Sequence, residues 1–129
     1  MKHTIAIFGE SERGSLEKLS YLNSLPSLVE NLGQATENGR GVHMAIQAIM
    51  YQRDLIFFKV SEEGFNLEEY LVGFHLLKSK SSDLNLAAIA LPGVGDRNII
   101  DRALTICEIQ KSFLIIKEQD LYDFMTQGP

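Results

Sequence analysis

The sequence has no tryptophan, one cysteine and three prolines among its 129 residues. A single thiol, Cys107, cannot close an intrachain disulfide, which sets aside the disulfide-scaffold class and agrees with a reducing compartment. Positive charge is also scarce: 12 Lys and Arg stand against 17 Asp and Glu, for a formal charge of −5. Without a basic excess to neutralise a phosphate backbone, nucleic acid is not an expected partner, and the cluster at Lys78 to Lys80 is too short to change that. No apolar run approaches the ~20 residues of a membrane span, and the N-terminus lacks the basic region and apolar core of a signal peptide. The expectation is a cytoplasmic protein with no membrane partner. His3, His43 and His75 share no i, i+4 spacing, so no metal site is expected, and no motif names a cofactor.

What remains is an ordinary globular composition, 45% hydrophobic and 22% charged, which argues against disorder. The length fits one domain over residues 1–129, enough to bury roughly two thirds of the unfolded surface. No internal repeat or linker interrupts it.

Apolar runs and helical stripes alternate along the chain. Thr4 to Phe8 is a β-branched and aromatic run stopped by Gly9, and it predicts a buried strand. Ser15 is placed to cap a helix carrying Leu16, Leu19 and Leu22 on one face, until Pro26 breaks it and Leu25, Leu28, Val29 and Leu32 resume the spacing. Residues 34–41, QATENGRG, hold almost nothing to bury and predict a loop. Val42, Ala45, Ile46, Ile49 and Met50 form the next stripe, and LIFFKV, 55–60, predicts a strand covered on both faces. Asn66 with Glu69 matches a capping box before a helix with Tyr70, Phe74 and Leu77 inward. LNLAAIAL, 84–91, is the third strand. Asp96 caps a helix with Ile99, Ala103 and Cys107 inward, FLII at 113–116 is the last strand, and Asp120 caps a terminal helix.

That order predicts an α/β fold, a small Rossmann-like or flavodoxin-like three-layer domain with a four- to five-stranded, mostly parallel sheet. A fifth strand near residues 33–39 would have to be very short, since only polar residues and glycines stand there; otherwise the sheet has four strands.

In open parallel sheets, ligands bind beyond the carboxyl ends of the strands where neighbouring connections diverge. GESERG and PGVGDRN would meet there, each a glycine-rich turn leading to a helix N-terminus that favours an anion. The candidate ligand-binding residues are therefore Gly9, Ser11, Arg13 and Gly14 in the first turn and Gly93, Gly95, Asp96 and Arg97 in the second, with Ser61 and Glu62 at the side. Arg13 and Arg97 offer planar forks for a phosphate or carboxylate. Around them Glu10, Glu12, Glu62, Glu63, Asp96, Glu118 and Asp120 outnumber Arg13, Arg97 and Lys117. Such an excess suits a ribose, or a polyanion carried by a divalent cation. Glu10 and Glu12 are the candidate catalytic carboxylates, as nucleophile or general base at a glycosidic carbon. The expected partner is a small phosphorylated or nucleoside-like molecule. The alternative is a catalytically inert module that docks a protein or forms a homodimer.

The stretch IAIFGESERG resembles the first strand and turn of Rossmann-like proteins acting on nucleosides and nucleotides, such as nucleoside deoxyribosyltransferases and lysine-decarboxylase-like phosphoribohydrolases. The phosphoribohydrolase resemblance would require P-G-G-x-G-T-x-x-E, and LPGVGDRN lacks its second adjacent glycine, its threonine and its glutamate. No activity is carried over. A phosphorylatable receiver domain would need an aspartate ending the third strand, where this chain has Pro92.

Overall fold

The computed structural model describes residues 4–80 and 84–127, which places His3 outside the described residues. Five strands form one sheet in the order β2-β3-β1-β4-β5, from β1 (Thr4–Gly9), β2 (Leu19–Leu22), β3 (Asp54–Lys59), β4 (Leu86–Ala90) and β5 (Phe113–Ile115). Four of them, β3, β1, β4 and β5, run parallel. The α/β fold with a four- to five-stranded, mostly parallel sheet read from the sequence is thus the architecture of the chain, apart from the segment after β1.

Helices cover both faces, as the doubly apolar strands require. On one side α1 (Leu25–Leu32), α2 (Gly41–Met50) and α5 (Glu118–Gln127) bury Leu28, Ala45 and Leu121 against Ile7, Leu55 and Phe57. On the other, α3 (Leu67–Ser79) and α4 (Arg97–Gln110) bury Tyr70, Phe74, Ile99 and Ala103 against Phe8, Ile56 and Phe58. Cys107 lies in this second core, where burial pushes its thiol upward from the usual range.

The structure corrects the segment after β1. Residues 19–22 are not a helix but β2, an antiparallel edge strand pairing Leu19 with Phe58 and Leu22 with Leu55. The spacing of Leu16, Leu19 and Leu22 fits a helix face, yet Gly14 (φ 102°) and Glu17 (φ 60°) adopt the left-handed region and interrupt any helix from Ser15. This is the fifth strand that residues 33–39 could not supply. Pro26 begins α1 instead of breaking a helix, because the first-turn N–H it lacks has no intrahelical partner anyway. Ser24 is the true cap, accepting from the Ser27 N–H at 3.3 Å.

Asp96 caps as read, Asn66 makes its half of the capping box while the Glu69 carboxylate turns to Ser61 instead, and the third cap is displaced. Asn66 accepts from Glu69 N–H and Asp96 from Asn98 N–H, at 3.4 and 2.8 Å. Asp120 lies inside α5 and reaches back to the N–H groups of Ile116 and Lys117, at 3.4 and 3.1 Å. Among the described residues no helix is long and apolar enough to cross a membrane.

Candidate functional site

The chain leaves β1 toward β3 on the α2 side, and leaves β3 and β4 toward the opposite side, so connections diverge between the adjacent strands β1 and β4. Their carboxyl ends, with those of β3 and β5, form the edge where a ligand is expected.

Two glycine contacts draw that edge together. A Cβ on Gly9 would stand 2.7 Å from the Gly41 Cα, so the start of α2 rests directly on the end of β1. Gly64 (φ 91°) is packed against the Gly93 carbonyl, joining the loop after β3 to the turn after β4. The two turns singled out in the sequence therefore lie at one edge, with residues 61–64 beside the second of them.

Into this junction points the carboxylate of Glu63, only 7% exposed. One oxygen accepts from the Arg40 N–H at 2.8 Å, the other from the N–H groups of Gly41 and Glu10, both at 2.9 Å. Arg40 is the N-cap of α2 and offers no side-chain cap of its own. Glu63 thus occupies the anion position at a helix N-terminus. Burial pushes its carboxyl above the ordinary value of 4.5, while the three N–H donors pull it back and Glu10 adds a smaller upward push. Glu10 returns the bond, accepting from the Glu63 N–H at 2.9 Å, and its other oxygen accepts from the Thr36 hydroxyl at 2.9 Å.

The remaining acids are similarly engaged. Glu12 accepts from Gln34 N–H at 3.1 Å, and Glu69 takes both the N–H and the hydroxyl of Ser61, at 3.0 and 2.9 Å. Asp96 and Asp120 cap backbone as described. Of the seven acids counted at this edge, five are committed to backbone N–H groups, leaving Glu62 and Glu118 outside that role. Fewer of their oxygens are therefore free to take a ligand hydroxyl or a cation than the acid count in the sequence suggests.

An open cleft of about 310 Å³ lies between the ends of β4 and β5 and the start of α2. Pro92 and Gly93 form one wall, Ile116 and Lys117 the other, with Arg40, Met44 and Glu118 completing it. Arg40 and Glu118 approach at 3.9 Å, both well exposed. Two cations and one acid give the lining a positive balance.

Of the predicted ligand-binding residues, Gly93 lines this cleft. Glu10 is at the junction beside it, and Gly9 supports the junction from beneath. Ser11 donates to the Arg13 carbonyl at 2.6 Å, Arg13 N–H donates to Leu32 at 2.8 Å, and Gly14 accepts from Lys59 at 3.3 Å, so this loop is bound down toward α1 and β3. Arg97 is 82% exposed and pairs with Asp101 at 3.5 Å. Gly95 has nothing within 4 Å of an added Cβ, and Ser61 is held by Glu69 away from the cleft lining. Arg40 was not among the residues singled out; the signal was its position immediately before the apolar stripe of α2. Among the described residues no group of His, Cys, Asp and Glu is arranged to hold a metal ion.

No family model, no curated protein and no solved structure matches the chain.

Proposed function

We propose that the chain binds a small phosphorylated metabolite, such as a nucleoside monophosphate or a sugar phosphate, in the cleft between the carboxyl ends of β4 and β5. The observation that carries this reading is the pair Arg40 and Lys117 lining a cleft next to the point where the connections diverge. Arg40 supplies a planar fork for two phosphate oxygens and Lys117 a mobile point charge. Met44, Pro92 and Ile116 offer apolar surface to the rest of the ligand.

The position of Glu63 supports the same placement. A phosphate cannot use the N-terminus of α2, because Glu63 already fills it, so the anion must be held by the side chains beyond it. No glycosidic step is assigned to Glu10 or Glu12, whose carboxylates are committed to Thr36, Glu63 and Gln34.

Isothermal titration with nucleoside monophosphates and hexose phosphates tests the proposal. Saturable binding that is lost in R40A/K117A and kept in R97A is expected. Absence of saturable binding across the set, or equal binding by R40A/K117A, overturns it.

A further inference from the structure

We propose that the chain forms a two-fold symmetric dimer through its α3/α4 face, in which Phe65 of each copy fills the groove between α3 and α4 of the other. The groove has a volume of about 190 Å³. Its floor is apolar, made by Leu71, Phe74 and Ile106, and its rim carries His75, Lys78 and Arg102. No acid lines it. Among the described residues, the side chains of Lys78, Arg102 and His75 make no hydrogen bond or ion pair. On a chain of net charge −5 this is a local concentration of positive charge over an apolar slot.

The complementary feature lies just before the same helix. Phe65 is 74% exposed, two residues before α3, and stands between the exposed acids Glu62 and Glu68. Its exposure is imposed by a well-anchored turn. Gly64, in the left-handed region, is wedged on the Gly93 carbonyl, its N–H donates to the Tyr70 hydroxyl at 2.8 Å, and Phe65 N–H donates to the Glu62 carbonyl at 3.3 Å. A ring held outward in this way binds with little further ordering cost, and aromatic anchors entering desolvated pockets are where association energy concentrates. Glu62 and Glu68 would then meet the Lys78 and Arg102 rim, which fixes the register.

The spacing suits a closed pair. From Phe65 to the groove is about ten residues along α3, roughly 15 Å. A two-fold axis crossing α3 midway between them, near position 70, lets both anchors seat at once, so the contact closes on itself and does not propagate into fibres. This inference is independent of the phosphate cleft, which lies on the α2 and α5 side.

Sedimentation equilibrium of the full chain tests it. Wild type is expected to dimerise, F65D to be monomeric with an unchanged circular dichroism spectrum and a melting temperature that no longer depends on protein concentration, and K78E/R102E to weaken the dimer at least about tenfold. Adding E62K/E68K to K78E/R102E should restore the pair by reversing both sides. A wild-type chain that stays monomeric to its solubility limit overturns the proposal, as does a dimer whose constant is the same in F65D. Concentration-dependent protection of the 71–78 amides from hydrogen exchange is the second readout, expected in wild type and absent in F65D.

Discussion

Glu10 and Glu63 cap one another: the backbone N–H of each donates to the carboxylate of the other at 2.9 Å, tying the end of β1 to the loop after β3. Glu63 also holds the first two N–H groups of the α2 terminus. One buried side chain therefore fixes three segments that are far apart in sequence. Replacing it by Gln sets an amide NH2 against backbone donors and leaves buried N–H groups without an acceptor. E63Q is expected to lose about 1 to 3 kcal/mol of unfolding free energy, measured by urea denaturation at neutral pH. An unchanged midpoint and slope would refute that role.

The same residue makes a pH prediction. Burial raises the folded carboxyl of Glu63 above 4.5, so the native chain binds this proton more tightly than the unfolded one. The stability gained from that proton is complete below 4.5 and is lost as pH rises through the folded value. The stability advantage of wild type over E63Q should therefore shrink as pH rises through that window. The Glu63 carboxyl carbon, followed by NMR, should titrate above 4.5; a midpoint at or below 4.5 contradicts the burial argument.

Glycine substitutions separate close backbone approach from mere turn composition. In G9A the new methyl meets the Gly41 Cα at 2.7 Å and a Glu63 oxygen at 2.9 Å, where a helix end and a strand end have no room to part. A loss of about 1 to 3 kcal/mol is expected. G95A meets nothing within 4 Å and should stay within about 0.5 kcal/mol of wild type. Thermal denaturation of the two variants side by side decides it.

Because five of the seven acids at the carboxyl edge are engaged with backbone N–H groups and Arg40 and Lys117 line the cleft against Glu118 alone, phosphate binding there should not need a divalent cation. A thermal shift produced by a nucleoside monophosphate is expected to be equal in magnesium and in a chelator, and to diminish with added salt as an exposed charge contact does. A shift that appears only with magnesium would return the site to a metal-bridged form.

The elements that could be read from the sequence are those whose evidence is local. LIFF at 55–58 and LAAIAL at 86–91 are apolar without a break because each strand is covered on both faces, and the stripes of α3 and α4 repeat at the helical period. Residues 16–22 could not be read in the same way. Their leucines fit a helix as well as a strand, and pairing to the open edge of β3 decided between them. Within the candidate site, glycines and acids were visible, but not what each acid would touch. Glu63 finds Gly41 and Arg40 across more than twenty residues, and Glu10 finds Glu63 across more than fifty.

Sequence by itself determined the alternation of strand and helix, the two apolar cores and the edge at which glycine turns collect, because hydrophobic period and cap chemistry act over a few residues. Only the tertiary structure decided that β2 is antiparallel, that Glu63 fills the α2 terminus, and that Arg40 and Lys117 share a cleft. Those outcomes depend on long-range pairing and on competition for buried N–H groups, and a one-dimensional pattern of residue types does not encode who wins such a competition.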